Sequence, residues 1–503
     1  MNLSKKELKN IDAVAVELPD EAIFSLPEKV LQFGTGVLLR ALPDYFIDKA
    51  NKQGIFNGRV VVVKSTSQGD TNAFDEQDGL YTICVRGIEN GQKVEKNIVN
   101  ASISRVLNAN EQWREILACA HSKEMQVVIS NTTEVGLRLV NETISEVVPA
   151  SFPGKLLAFL YERFKFFKGS KESGMVIIPT ELISDNGKVL KEILAELAQF
   201  NQMEEQFIEW LFSANYFCSS LVDRIVPGKP AQPVMDEIEN ETGYTDKLLL
   251  IAEVYRLWAI EGNEYVKSIL SFYKTDEAVI IEPDITIYKE LKLRLLNATH
   301  TLTCGLAYVA GFETVKEGMD DPALYSFVKR IMLEEIAHAI PYPVPLNVAN
   351  DFGNKVLDRF RNPHIRHQWI SITMQYSSKL KMRVVPVLLK HYENNNSVPP
   401  LIAFGFAAYI FFTKPVKESG GKFYGELNGK EYIIQDEQAA LFMKLWNELQ
   451  PTALVQNVLA DRSLWGQNLS LLPGFCENVS ANLDAILQQG AKKALQQLLN
   501  KMK

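Results

Sequence analysis

The chain has 503 residues, 47% of them hydrophobic and 23% charged, with a formal net charge of −8. That length exceeds what one hydrophobic core serves, so two or three domains are expected. The acidic balance argues against nucleic acid or an anionic membrane as the main partner, though not against an anionic small molecule, which answers to local charge.

The cysteines, at 84, 119, 218, 304 and 476, are odd in number and far apart. That pattern reads as reduced thiols in a cytoplasmic protein rather than disulfides or a zinc site. No His, Asp or Glu spacing suggests a metal. The opening residues, Met-Asn-Leu-Ser-Lys-Lys-Glu, lack the apolar stretch of a signal peptide. The longest apolar run, 399–412, is too short to span a bilayer and suits a buried helix.

In chain order, residues 30–33 (Val-Leu-Gln-Phe) form a short β-prone run that Gly34-Thr35-Gly36 interrupts. Residues 37–52 then show helical spacing of Leu38, Leu42, Phe46 and Ile47, and 59–63 (Arg-Val-Val-Val-Val) is a second, apolar strand. Valine runs alternating with helices predict a parallel sheet covered on both faces. Further strands of this kind are expected at 126–130 and 174–180, with an added strand over 78–86. The rhythm stops near Glu282-Pro-Asp284, which sets the expected boundary between an α/β Rossmann-type domain, 1–283, and a mainly α-helical domain, 284–503. In the latter, helical periodicity covers 286–310, 322–340, 364–376, 380–393, 399–412, 435–449 and 477–500. Asn428-Gly429, between two alternating runs, predicts a hairpin.

The glycines at 34 and 36, after a strand and before a helix, fit a dinucleotide turn, where a tight bend lets the backbone approach a pyrophosphate. The match is incomplete, since the third glycine position is Leu39. The second strand ends in Lys64-Ser65-Thr66 rather than the acid that binds the NAD ribose. That trio either favours a 2′-phosphate or faces solvent, so NAD and NADP both stay open at this point. Ser130-Asn131-Thr132-Thr133-Glu134 follows an apolar strand at the carboxyl end where such sheets bind ligands, and equally reads as a polar loop. Glu181 to Gly187 stands in the equivalent place on a later strand, with the same ambiguity.

The most pointed segment is 292–300, Lys-Leu-Arg-Leu-Leu-Asn-Ala-Thr-His. On an α-helix turning about 100° per residue, His300 lies about 80° from Lys292 and Asn297 about 140° from it. One wedge then carries an amine, a carboxamide and an imidazole, the groups needed to move an alcohol proton and hold an oxyanion. The plainer alternative is the polar stripe of an amphipathic helix. A lysine serves as acid and base near neutrality only when burial or nearby positive charge destabilises its charged form; the leucine-rich helix and Arg294 are candidates for both. Arg359, Arg361, His364, Arg366 and His367, with Lys379, Lys381 and Arg383, form the densest basic region. It is either a solvated face or a carboxylate clamp.

Taken in order, Gln32-Phe-Gly-x-Gly36-x-x-x-Arg40, Thr132-Thr-Glu134, Val222-Asp-Arg-Ile225 and Lys292-x4-Asn297-x2-His300 resemble the mannitol dehydrogenase family of polyol-specific long-chain dehydrogenases. Gln77-Asp-Gly-Leu-Tyr-Thr82, Phe217 to Val226 and Arg359-Phe-Arg-Asn-Pro363 resemble its sugar-acid branch, and the likeness runs from about 28 to 490. The resemblance implies a metal-independent, NAD-dependent oxidoreductase with its site in a cleft between the domains. Lys292 would be the general acid/base, with Asn297 and His300 binding the reacting oxygen. NAD would contact Phe33, Gly34, Thr35, Gly36 and Leu38, and Asn131, Thr132, Thr133 and Glu134; Arg361, His364, His367 and Lys379 would bind substrate. The expected reaction is reversible reduction of D-tagaturonate to D-altronate. Rival expectations are a reductase of fructuronate or of a neutral ketohexose, and a binding protein on the same scaffold. The family also carries a second oxyanion asparagine where this chain has Leu182 beside Glu181, which leaves a two-asparagine oxyanion hole an open question here; the sugar-acid branch resembles this chain in having Glu-Leu-Ile at that place, so the departure does not count against the resemblance. The expected partner is a small sugar acid, with no nucleic acid or membrane; the oligomeric state is left open.

Overall fold

A computed structural model describes residues 1–65, 71–132, 136–145 and 147–502. The chain forms two compact units, Met1–Gly87 with Lys93–Ile285, and Ile88–Gln92 with Thr286–Lys503.

The first unit is built on a six-stranded sheet. Its strands are β1 (Glu28–Phe33), β2 (Arg59–Lys64), β3 (Ile103–Asn108), β4 (Val127–Ser130), β5 (Val176–Pro179) and β6 (Tyr216–Phe217). All neighbours pair in parallel, in the order β3-β2-β1-β4-β5-β6. This is the doubly wound dinucleotide-binding order, whose reversal between β1 and β4 opens a crevice at the carboxyl ends. The valine runs follow from burial on both faces. Val30, Val60, Val62, Val127 and Ile129 pack on one side with Leu39, Phe46 and Ile47. Leu31, Phe33, Val61, Val63 and Val128 pack on the other with Leu156, Phe159 and Leu194. Alternate side chains of a strand point to opposite faces, so neither face tolerates a polar period.

The helical run expected over 37–52 is two helices, α1 (Val37–Ala41) and α2 (Pro43–Lys52). Pro43 disfavours helical backbone at the residue before it, and Leu42 has φ −127°. The covering helices α3 (Phe152–Phe166) and α4 (Asn186–Phe200) follow. The strand expected over 78–86 spans Tyr81–Glu89 and belongs to a separate three-stranded sheet with Gln92–Asn100 and Leu250–Glu253. Arg224 is buried and structural, donating to the backbone oxygens of Glu253 at 2.9 Å and of Ala41.

The second unit is mainly helical. A continuous run comprises α5 (Thr286–Leu291), a π-helical segment (Lys292–Ala298) and α6 (Thr299–Val309). Next come α7 (Leu346–Phe360), α8 (Tyr376–Arg383) and the buried α9 (Pro400–Phe412). Sequence periodicity missed α7, which is rich in asparagine and holds Gly353. Its burial of Ala349, Phe352, Val356, Leu357 and Phe360 at helical spacing overrides that weak propensity. Conversely, the helix expected over 364–376 shrinks to Trp369–Ile372, because the preceding residues pair with the 313–315 strand-like stretch. The Val315 N–H donates to the oxygen of His367, and the Trp369 N–H to that of Glu313. The run expected over 380–393 is broken at Val384, between α8 and a helix over Val385–Asn394. The one over 477–500 is split at Gly490, whose φ is +82°. Helix Pro451–Ala460 was not foreseen.

The Asn428-Gly429 hairpin joins Lys422–Leu427 to Lys430–Ile434, with positive φ at both turn residues. All five cysteines are free and buried. Among the described residues, no helix is long and apolar enough to cross a membrane.

Candidate active site

In the first unit the site is the loop after β1. Gly34 has φ +125°, and a Cβ there would sit 2.9 Å from Leu39 Cδ1 and 3.0 Å from the Asn131 carbonyl oxygen. Only glycine fits that conformation and that space. Gly36 differs: it has ordinary backbone angles, is exposed, and a Cβ would meet none of the described residues within 4 Å. Open space over bare backbone is what a pyrophosphate approaching N–H groups needs, so the turn fits a dinucleotide. Leu39, at the third glycine position, is fully buried under the sheet, which explains why it can replace the glycine that elsewhere permits close helix–strand packing.

The other expected cofactor residues fall into three groups. Phe33 is fully buried, its ring 5.1 Å from that of Phe152. Thr35 and Leu38 are half-buried on the loop and on α1. Asn131 and Thr132 close the end of β4. The Asn131 side-chain amide donates to the oxygen and hydroxyl of Thr180, both at 3.0 Å. Thr132 donates through its N–H (2.8 Å) and hydroxyl (3.1 Å) to Glu181, whose other oxygen accepts from the Ser130 hydroxyl. Thr133 and Glu134 lie outside the described residues, as does Thr66. Glu181 is therefore a buried brace that ties the ends of β4 and β5 together, a role its sequence position did not disclose. Leu182, by contrast, is 66% exposed.

In the second unit the π-helical segment changes the geometry expected of 292–300. Its hydrogen bonds run i→i+5, so residues five positions apart stand on one face. Lys292 and Asn297 are five apart and share that face, instead of lying about 140° apart as on an α-helix. Both are half-buried. Arg294 points elsewhere: it pairs with Glu290 at 2.9 Å and donates to the backbone oxygens of Met382 and Arg383. Its charge is balanced there, contrary to the expectation that it acts on Lys292.

His300 opens α6. It is 8% exposed, stacked on Phe360 with centroids 4.0 Å apart, and met edge-on by His367 at 5.4 Å and Trp369 at 6.0 Å. Among the described residues, its Nε2 has no hydrogen-bond partner. Burial pushes its pKa well below the ordinary histidine value, and His367, Arg359, Arg383 and Lys379 push it the same way. His300 is thus a neutral imidazole with one nitrogen available, suited to binding an oxygen without carrying charge.

Of the expected substrate residues, His367 and Lys379 are brought to His300. Lys379 is held by a bond from its Nζ to the Ile372 oxygen at 3.0 Å, and burial followed by Arg383 lowers its pKa. Arg361 instead lies over the Tyr325 ring, 5.9 Å from its centroid, and His364 is exposed. Arg359 and Arg383 were visible only as members of a basic stretch. Thr301 and Phe360, which anchor Arg383 and His300, gave no signal beyond their helical spacing.

Models of two domains match almost the whole chain: the mannitol dehydrogenase Rossmann domain over 28–273 and the mannitol dehydrogenase C-terminal domain over 284–487. The chain belongs to the mannitol dehydrogenase family. By that membership it is an oxidoreductase acting on CH–OH groups. Among curated relatives, a protein of Halalkalibacterium halodurans named altronate oxidoreductase is 37% identical over 486 residues, 95% of this chain and 94% of that one. One of the same name from Escherichia coli O7:K1 is 37% identical over 94% and 97%. Among solved structures, mannitol 2-dehydrogenase of Pseudomonas fluorescens, in a ternary complex with NAD and D-mannitol, has the same fold. Its TM-score is 0.66 at 22% identity, with both chains fully covered.

Proposed function

We propose that this chain reduces D-tagaturonate to D-altronate, reversibly, with NADH, as a step of hexuronate breakdown in the cytoplasm. The observation that carries the reading is the π-helical turn, which sets the Lys292 amine and the Asn297 amide on one face, just ahead of a neutral, buried His300. The full-length similarity to proteins named altronate oxidoreductase supports the choice of substrate. The Gly34 to Gly36 turn, Asn131 and Thr132 would hold the dinucleotide, with Thr133 and Glu134 proposed beside them from the resemblance.

When bound, NADH supplies the hydride that reaches the ketone carbon. The protein's own work is at the oxygen. Lys292 in its ammonium form gives a proton to the oxygen as negative charge develops there, and takes it back in the oxidative direction. Asn297 and His300 donate hydrogen bonds to the same oxygen, fixed in place before the charge appears. The stack on Phe360 and the edge contacts of His367 and Trp369 hold the imidazole still, so no reorganisation accompanies the step. Proton transfer by Lys292 needs no metal, so a chelator is expected to leave the rate unchanged.

The test is NADH consumption by the full chain with D-tagaturonate, D-fructuronate and D-fructose, and with NADPH replacing NADH. Preference for tagaturonate with NADH supports the assignment. Preference for fructose would overturn it.

A further inference from the structure

Three cationic side chains act on His300, and one of them is placed by a network that the proton chemistry does not use. Arg383, the last residue of α8, donates from Nη1 to the Thr301 hydroxyl at 3.1 Å. That hydroxyl in turn donates to the Asn297 backbone oxygen at 2.7 Å. Thr301 follows His300 directly and lies one α-helical step beyond Asn297, so the guanidinium is pinned against the segment that carries the reacting groups. Its Nε is buried and, among the described residues, has no hydrogen-bond partner. A buried guanidinium N–H without an acceptor is costly, and in a native site it calls for a partner. Lys379, on the preceding turn of the same helix, adds a second positive charge. Both groups have their charged forms disfavoured, by burial first and, for Lys379, by Arg383 as well. An anion seated between them would relieve that.

We infer that Arg383, anchored by Thr301 and assisted by Lys379, forms the subsite that takes the carboxylate of the sugar acid, and so decides between a keto acid and its neutral ketose. A guanidinium offers a planar pair of N–H donors that matches a carboxylate, which the ammonium of a lysine does not. The inference rests on the proposed reduction of a keto acid, and it adds a residue whose job is discrimination rather than proton transfer. Discrimination of this kind is a difference between two affinities, so it is read only by comparing the charged and uncharged substrates.

The experiment compares D-tagaturonate with D-tagatose, the same sugar lacking the carboxylate, in the parent chain and in Arg383→Met. Tagatose is followed as a substrate or, if it turns over slowly, as a competitive inhibitor. For the variant, kcat/KM with tagaturonate is expected to fall about 100-fold, mostly through KM, while tagatose changes less than about threefold. Equal losses on both sugars would show that Arg383 only braces the helix and would overturn the inference. Should Arg383→Met fail to fold, Arg383→Lys, which keeps charge and stem but not the fork, is the measure. It is expected to lose about tenfold on the acid and nothing on tagatose, and an unchanged acid preference would equally overturn the inference. If the parent chain reduces no keto acid at all, the failure lies with the reaction proposed above and not with Arg383.

Discussion

Lys292 and Asn297 stand on one face of their helix because the turn between them is a π-turn, closed by i→i+5 hydrogen bonds. An α-helical turn would send them to different sides. The polar groups of the site therefore depend on a local departure from regular helix, and not only on which residues occur there.

Lys292→Met is expected to lower kcat with tagaturonate by a factor of about 100 to 10,000, the usual share of a general acid. NADH binding, measured by fluorescence titration, should stay within about twofold. Retained turnover would remove Lys292 from the proton transfer.

Gly34 and Gly36 make opposite predictions. Gly36→Ala puts a methyl group at ordinary φ into space that no described residue fills, so the melting temperature is expected to hold while KM for NADH rises. Gly34→Ala requires a left-handed backbone and contacts of 2.9 to 3.0 Å, and should cost about 1–3 kcal/mol of stability. Thermal unfolding alongside cofactor titration separates the two. A strongly destabilised Gly36→Ala would mean the space is not there for a ligand.

Asp44, on α2, is fully buried against Gln32 and Tyr81, and burial pushes its pKa up to about 7. The folded chain keeps this proton where an unfolded aspartate, near 3.9, has lost it. The group's contribution to stability is complete below about pH 4 and is lost as pH rises through 7. Asp44→Asn should therefore melt higher than the parent at pH 8, with the gap closing toward pH 4. An advantage confined to low pH would have the wrong sign.

His300 predicts an absence in the rate profile. With its pKa held well below the ordinary value by burial and nearby cations, it is neutral at the pH where an ordinary histidine titrates. No step in kcat/KM near pH 6.5 should be assignable to it, and His300→Gln should leave the shape of the profile around and above about pH 6.5 unchanged while lowering its height. A titration near 6.5 that disappears in this variant would contradict the neutral imidazole.

Much of this was legible beforehand. Valine runs, glycines at 34 and 36 and the polar residues after 130 reveal the parallel sheet and its ligand-binding end, because burial on both faces and tight turns leave few residue choices. Lys292, Asn297 and His300 stand out against leucine. What stayed hidden is what depends on long-range packing. The π-turn is invisible to a reading that assumes 100° per residue. Helix α7, which supplies Phe360 and Arg359, lacks propensity and is stabilised by burial. Glu181 looks like loop polarity until Ser130 and Thr132 are seen bonded to it. Arg383 looks like one more surface charge until Thr301 is seen holding it.

The wide turn at 292–298 also bears on how this protein can change over evolutionary time. Leucines 293, 295 and 296 can be exchanged for other apolar residues at modest cost, since volume-conserving swaps are tolerated. Losing a single position between Lys292 and Asn297 would restore regular winding and leave the two four apart, about 40° from each other and still on one face. The wide turn thus lets a five-residue spacing do what a four-residue spacing does on a regular helix, with the extra residue absorbed into the winding.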